Sequence, residues 1–169
     1  MAAIEIQLIV ETIQTQYEKA FSILIDAIDR YDDALWFDDT KYKSPAWQIV
    51  YHLLFYANIY CSPAEKKTQL WGKEKDGYSW FDTLREIKKE NPESVVPYSK
   101  EDMLEYVACI QRAVPVYLKE MKPAEECWPY WYDENQLEFH INNLRHIQHH
   151  TAEIIERHDI ENAFSYMWK

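Results

Sequence analysis

Glycine is nearly missing from this chain, since Gly72 and Gly77 are the only two in 169 residues. Loops that cradle phosphate groups need several glycines, and sheet proteins use them in their many tight turns. The scarcity argues against a Gly-rich nucleotide loop and against a β-rich fold. Helix is therefore the expected class.

Basic clusters and long apolar runs are also missing. The formal net charge is −11 and no run of Lys and Arg offers a local exception, so the surface repels phosphate backbones and we expect no nucleic-acid partner. No stretch approaches about 20 apolar residues, and Met1 to Val10 has no basic segment followed by an apolar run of signal length. We expect a cytoplasmic protein with no membrane segment.

The three cysteines, Cys61, Cys109 and Cys127, are odd in number, widely spaced and free of any Cys-x-x-Cys pair. This usage fits a reducing compartment better than a disulfide framework. Three catalytic signatures are absent as well: His-Glu-x-x-His, a Glu-x-x-His pair repeated on two helices, and Gly-x-Ser-x-Gly. Zincin, di-iron carboxylate and α/β-hydrolase functions therefore lack their required residues.

Aromatic and apolar residues are plentiful, with 13 Tyr, 7 Trp and 6 Phe. They give ample capacity to fill the spaces between helices. A chain of 169 residues is long enough for one domain with a sizeable core and short for two. We predict a single domain over residues 1–169.

The first half of the chain predicts two long helices. Apolar residues recur every three or four positions from Ala3 to Arg30 and indicate one amphipathic helix. The stretch from Tyr31 to Lys43 is rich in Asp and aromatic residues without that period, and is interpreted as a loop. Ser44-Pro45 resembles an N-cap followed by a proline at the first helical position, so a mostly buried helix should run from Pro45 to Tyr60.

The middle of the chain predicts a long crossover from Cys61 to Pro97. Ser79 and Asp82 have the spacing of a capping box, which indicates a short helix to Glu90. So long a connection can cross the body of a helical bundle and let the helices on either side run parallel. This argues against a simple hairpin-linked bundle.

Ser99 and Asp102 repeat the capping signature and open a third long helix. Its apolar residues predict an end near Met121, and Pro115 lies inside it, where proline can kink a helix. The last long helix should open at Asp133 or Glu134.

Two aromatic segments lack helical order. Residues 126–132 are either a packed loop over one end of the bundle or a wall on which a substrate stacks. The tail 160–169 is expected to fold back onto the body or onto a second subunit, because free aromatic side chains at a terminus would otherwise stay wet. We therefore expect self-association, most simply a homodimer.

The last helix contains three histidines within a stretch of five residues. His146 and His150 are four apart, about 40° from each other on one helical face, and can hold one metal ion between them. The pair His146 and His149 is also feasible, whereas His149 and His150 diverge. The helical wheel favours His146 and His150 as the inward pair, and His52, in the middle of the second helix, is the best third ligand, although taken alone it fits a core histidine.

Three imidazoles suit Zn, Ni, Cu or Fe and leave a coordination position open. Such an ion can lower the pKa of bound water or activate a bound thiol. Glu153 lies next to this face and either orients a ligand or accepts a proton, or it is only a solvated partner of Arg157 at i, i+4. His140 and His158 are interpreted as structural or exposed.

These segments resemble the DinB/YfiT-like superfamily of metal-dependent enzymes. The stretch Ser44-Pro45-Ala46-Trp47-Gln48-Ile49-Val50-Tyr51-His52 is similar to the family's Trp-containing second helix that ends in a ligand histidine. The stretch His146-Ile147-Gln148-His149-His150-Thr151-Ala152-Glu153-Ile154 is similar to its His-x-x-His-His-x-Gly-Gln segment. The helix lengths and the long crossover agree along most of the chain.

The resemblance implies an all-α four-helix bundle of up-down-down-up type, with the long crossover between helices 2 and 3, often dimeric. It implies a metal at His52, His146 and His150. Characterised members include transferases and isomerases that use low-molecular-weight thiols. Ala152 and Glu153 stand where the family has Gly and Gln, so the role of that glutamine does not carry over.

Two functions follow as hypotheses. The first is a metalloenzyme whose divalent ion (Zn, Ni or Fe) activates a thiol or water against a small electrophilic substrate, with a low-molecular-weight thiol as co-substrate in the transferase form. The second is a non-catalytic bundle that binds a partner, with a structural metal or none. A coordination position open to exchangeable water would favour the enzyme, and a fourth protein ligand would favour the binding protein.

Overall fold

The computed structural model describes residues 3–61, 71–127 and 133–162. Over these residues the chain is all-α, with a single isolated β-bridge between Glu126 and Asn135 and no strand. The helices are α1 (Ala3–Arg30), α2 (Asp33–Trp36), α3 (Ala46–Cys61), α4 (Phe81–Glu90), α5 (Lys100–Lys119) and α6 (Gln136–Asn162), with a 3₁₀ turn at Pro92–Ser94. The expected helical class is confirmed.

Four long helices surround the main core. Helix α1 packs against α5 and α6, and α3 packs against the same two helices. Helix α3 is the most buried of them, because its sequence leaves little polar surface, and Val50, Leu53, Leu54 and Ala57 have no exposed area. This arrangement places the buried middle of α3 against α6, where the predicted histidines lie.

The observed helix starts agree with the prediction in one place and differ from it in two. Ser99 and Asp102 form the predicted capping box at the start of α5, which continues past Pro115 and ends two residues before Met121. Helix α3 begins one residue later than expected, because the carbonyl of Pro45 accepts the first helical hydrogen bond, from Ile49. The Ser79 cap is wrong, since Trp80 is the N-cap of α4 and makes no side-chain capping bond.

The interpretation of residues 31–43 as a loop is wrong at Asp33–Trp36, which is a single helical turn. The carboxylate of Asp32 caps it by accepting hydrogen bonds from the backbone of Ala34 and Leu35, and Trp36 is buried below it. A single turn is too short to show a helical period. Helix α6 begins at Gln136, two residues after the later of the predicted starts.

Two predicted aromatic features lie largely outside the described residues. They are the segment 126–132, of which 126 and 127 are described, and the tail 160–169, of which 160–162 are described. In the ranges that the structure covers, no helix is long and apolar enough to cross a membrane.

Candidate metal centre

Helices α3 and α6 bring three imidazoles together. One ligand atom from each of His52, His146 and His150 lies within 4.8 Å of the other two. The ring centroids are 5.2 Å apart for His52 and His146, 4.9 Å for His52 and His150, and 4.7 Å for His146 and His150. These three residues, named here the imidazole cluster, are the predicted ligand set.

The tautomer of His52 follows from its hydrogen bond to the backbone. Its Nδ1 lies 2.7 Å from the carbonyl oxygen of Ser79, which can only accept, so Nδ1 carries the hydrogen. In a neutral ring this leaves the lone pair on Nε2. A turn at Gly77 precedes Ser79, and the φ of 80° at Gly77 is readily adopted only by glycine.

His150 is oriented by a carboxylate one turn along the same helix. Its Nδ1 lies 2.9 Å from Oε2 of Glu153. The other oxygen of Glu153 accepts from Arg157, whose guanidinium also donates to the carbonyl of Ser44 at 2.8 Å. The proton on Nδ1 of His150 leaves Nε2 as its ligand atom, the arrangement in which metal-bound histidines are held.

Burial keeps two of the imidazoles uncharged. It lowers the pKa of His52 and lowers the pKa of His146 to about 3, with the charges of the other cluster histidines as smaller causes for His146. Both rings are therefore neutral at pH 7, and neutral imidazole is the form that binds a metal ion. The pKa of the Glu153 carboxyl is lowered first by the hydrogen bond from His150 and then by Arg157.

The spacing of two ligand nitrogens fits a tetrahedral ion. Nε2 of His146 lies 3.3 Å from Nε2 of His52. Zinc–nitrogen bonds of about 2.0–2.1 Å at the tetrahedral angle place neighbouring nitrogens about 3.3 Å apart. Nδ1 of His146 is buried with no hydrogen-bond partner, so the ring is not committed to another role. The residues present therefore fit a divalent transition metal.

Aromatic rings enclose the imidazole cluster. Phe81, the first residue of α4, stacks on His52 with centroids 4.4 Å apart. Tyr56 lies 4.9 Å from His52 and 5.7 Å from His146. The ligand-type group of the cluster contains no fourth His, Cys, Asp or Glu from the residues that the structure describes.

His149 lies outside the imidazole cluster. It is exposed, as its position on the helical wheel predicts, and it groups instead with His150 and Glu153. The alternative pair of His146 and His149 is not brought together with a third ligand in the described residues. Because Glu153 is already bonded to His150 and Arg157, this second group is the less available for an ion.

His140 and His158 are both buried. Nδ1 of His140 lies 3.0 Å from the hydroxyl of Tyr17, which also accepts a 3.0 Å hydrogen bond from Asn143. His158 packs beside the ring of Tyr31, with centroids 5.3 Å apart. The expected structural role is in keeping with these surroundings.

Sequence reasoning missed three parts of this site. The carbonyl of Ser79 is a backbone group and carries no side-chain signal. Phe81 and Tyr56 are ordinary apolar positions of their helices, and nothing in their spacing points to a histidine elsewhere in the chain. The Glu153–Arg157 pair was visible, since the residues are four apart on one helix.

Comparisons of this chain with protein-family models, curated proteins and solved structures find no match.

Proposed function

We propose that the chain is a metal-dependent enzyme in which His52, His146 and His150 hold one divalent ion, Zn, Ni or Fe, for a reaction of a thiol or water with a small electrophilic substrate. The observation that carries the proposal is the convergence of three imidazoles within 4.8 Å of one another. In two of them the Nδ1 is occupied by an acceptor outside the cluster.

The four-helix, up-down-down-up arrangement is the finer fold that we infer with this function. Its support comes from pairs of contacts along the helices. Arg157, near the end of α6, donates to Ser44 just before α3, and Asn143, near the start of α6, donates to Ala57 near the end of α3. These contacts support an antiparallel direction for α3 and α6. Tyr17 contacts His140, and Tyr31 contacts His158 farther along both segments. These contacts support a parallel direction for α1 and α6.

The direction of α5 rests on two further contacts. Asn58, near the end of α3, donates to Tyr106, whereas Trp47 at its start packs on Tyr98, just before α5. These contacts make α5 parallel to α3, as the long crossover between the two helices predicts.

An open coordination position favours catalysis over a purely structural metal. Structural zinc sites are closed by four protein ligands, whereas catalytic sites keep a position for water or substrate. When bound, an ion of this kind supplies a water or thiol with a lowered pKa. In the described part of the chain, three side chains are close enough together to bind one ion and no fourth His, Cys, Asp or Glu joins them.

The chain's own residues orient and enclose this position. The Ser79 carbonyl and Glu153 keep the hydrogens on Nδ1 of His52 and His150, and thereby keep Nε2 free in each ring. Phe81 and Tyr56 exclude water from the His52 side. The lowered pKa of Glu153, together with its two hydrogen bonds, makes it a weak proton acceptor and favours the orienting role.

Two of the three cysteines, Cys61 and Cys127, are not suited to be the nucleophilic thiol. Burial raises the pKa of Cys61 to about 12, and the pKa of Cys127 is also raised by burial. We therefore infer, from the family resemblance, that the reacting thiol comes from a small co-substrate.

The experiment is elemental analysis of the untagged full chain, purified without chelator, beside His52→Ala and His150→Ala. We expect about one equivalent of transition metal in the wild type and at least a hundredfold loss of affinity in both variants, more than the loss typical of an outer-shell change. His149→Ala is the matched control and should retain the metal, because that side chain is exposed outside the imidazole cluster.

A wild type that takes up no Zn, Ni or Fe after dialysis would contradict the proposal. It would favour the second function, a bundle that acts by binding a partner and uses its histidines structurally. Loss of the metal in His149→Ala with retention in His52→Ala would instead move the site to the group of His149, His150 and Glu153.

A further inference from the structure

A second feature lies beside the imidazole cluster and takes no part in it. This feature, named here the α3–α4 cleft, is a cavity of about 80 Å³ between the start of α3, the outer face of α4 and the segments around residues 37–45 and 95–97. Its apolar lining includes Trp47, Leu84 and Pro97, and its charged lining is Asp39, Lys43, Arg85 and Lys88.

The charges of the α3–α4 cleft are mostly positive on a chain whose net charge is −11. Lys88 is paired with Asp39. Lys43 is exposed, and no ion pair joins it to another of the described residues. Two of the three cations are paired with carboxylates, Lys88 with Asp39 and Arg85 with Asp82, so one positive charge above an apolar floor is left to attract an anion.

Arg85 is the most informative of these cations. Its Nη2 lies 3.1 Å from Asp82, whose side chain is 89% exposed, so this ion pair faces solvent and is weak. Its Nε is buried and has no hydrogen-bond partner. A buried donor without an acceptor is costly, and an oxygen atom placed in the cleft would satisfy this guanidinium after a small rotation.

The cleft and the imidazole cluster are consecutive along the same two helices. Gln48 lines the cleft and precedes His52 by four residues on α3. Arg85 lines the cleft and follows Phe81, which stacks on His52, by four residues on α4. Four residues are about 6 Å of helix, so the cleft and the imidazole cluster lie about one helical turn apart on both helices.

We propose that the α3–α4 cleft binds the oxyanion head group, a carboxylate or a phosphate, of the small molecule whose reactive end is held at the imidazole cluster. This inference rests on the proposed function and names its substrate class. The volume suits a group of this size, since about 10–15 Å³ of such space is enough to hold one water. Arginine with an adjacent lysine is the combination that recognises planar or tetrahedral oxyanions by charge-assisted hydrogen bonds.

The first experiment uses the metal-free full chain with three probes: inorganic phosphate, phenyl phosphate and benzoate. NMR follows the Nε–H signal of Arg85 and the indole N–H of Trp47. We expect saturable shifts at both, and comparison of the three probes separates a phosphate from a carboxylate preference. Arg85→Gln should weaken binding by about tenfold or more, the loss of one charge-assisted bond.

Lys89→Gln is the matched control, because it removes the same charge from the same helix and does not line the cleft. Its affinity should stay within about twofold of the wild type, a difference worth a few tenths of a kcal/mol. Absence of saturable binding in the wild type would overturn the proposal. Equal weakening in Arg85→Gln and Lys89→Gln would overturn it as well, because binding would then depend on overall charge.

The second experiment tests the link to the imidazole cluster with zinc-loaded protein. The thiol acid 4-mercaptobutyrate should bind about tenfold more tightly than the neutral 4-mercaptobutanol, and Arg85→Gln should abolish the preference. An equal affinity for the two thiols would refute the link. If the wild type binds phosphate through Arg85 but takes up no metal, the proposed function is wrong and the anion site is retained. If the wild type takes up metal but binds no anion, the anion site is wrong and the proposed function is retained.

Discussion

Helix α6 contributes to two histidine environments, and they differ in the groups that face the Nδ1 atoms. At His140, Nδ1 lies 3.0 Å from the Tyr17 hydroxyl, a group that can donate or accept and that accepts a hydrogen bond from Asn143. In the imidazole cluster, Nδ1 of His52 and of His150 donates to an acceptor. The neighbour of His140 therefore fixes no tautomer, whereas the acceptors beside His52 and His150 hold the hydrogen on Nδ1 and leave the lone pair on Nε2.

The comparison shows how a histidine of the polar core differs from the histidines that we propose as ligands. Burial alone does not separate them, since it lowers the pKa of His140 to about 4 and that of His146 to about 3. The partner of Nδ1 does, because a carbonyl or carboxylate at that atom fixes the hydrogen there and leaves Nε2 available, whereas a hydroxyl does not fix it. The imidazole cluster has the geometry to hold an ion, and among the described residues His140 belongs to no such group.

The largest expected effect that would sharpen this contrast is on thermal stability. Zinc at about a thousand times its Kd should stabilise the wild type by about 4 kcal/mol, which raises Tm by roughly 8–16 °C for a chain of this size. Differential scanning calorimetry with and without chelator measures it. His140→Gln should lower Tm but keep the zinc shift, and His52→Ala should lose the shift. A zinc shift that survives in His52→Ala would break the contrast.

The next effect is the acid sensitivity of the His140 environment. The folded pKa of about 4 lies below the ordinary 6.5 because of burial, so between these values the unfolded chain binds more protons and stability falls as the pH falls. The contribution is complete above pH 6.5 and declines through pH 4, by about 3 kcal/mol in all.

Urea unfolding at pH 7, 5.5 and 4.5 measures this dependence by comparing Tyr17→Phe with the double variant Tyr17→Phe/His140→Leu. The double variant should lack this part of the pH dependence, while the contributions of the cluster histidines are common to both proteins. Equal slopes in the two variants would mean that His140 is protonated as readily in the folded chain as in the unfolded one.

A smaller effect tests the donor direction at His150. Glu153→Gln removes the carboxylate that holds the hydrogen on Nδ1, and should weaken metal affinity by about 10- to 100-fold, less than the loss of a ligand. Competition against a chelating dye measures it. Glu156→Gln, an exposed change on the same helix, is the control. An unchanged affinity in Glu153→Gln would reduce the carboxylate to a surface partner of Arg157.

The features of the fold that depend on helical periodicity can be predicted from the sequence. The spacing of apolar residues predicts α1 with the bounds that the structure shows, Ala3–Arg30, and Ser99 with Asp102 predicts the capping box of α5. Both signals are local, since they depend on residues three or four positions apart. The convergence of His146 with His150 is readable for the same reason.

The missed features depend on contacts between distant parts of the chain. Asn143 and Tyr17 are 126 positions apart, and a polar residue on the core side of α6 does not reveal its partner. The side chain of Ser79 predicts a helix cap, whereas Ser79 contacts His52 through its carbonyl oxygen. The turn Asp33–Trp36 was missed because four residues cannot display a period.

The two orienting partners of the imidazole cluster differ in how sequence change can reach them. The acceptor for His150 is a carboxylate, so one codon at Glu153 can remove it. The acceptor for His52 is a main-chain oxygen, which every amino acid possesses, so substitutions at Ser79 that keep the local backbone path leave the ring held as before. The orientation of His52 is therefore insensitive to such substitutions at Ser79. It is sensitive to substitution of Gly77, whose turn sets the path of this backbone.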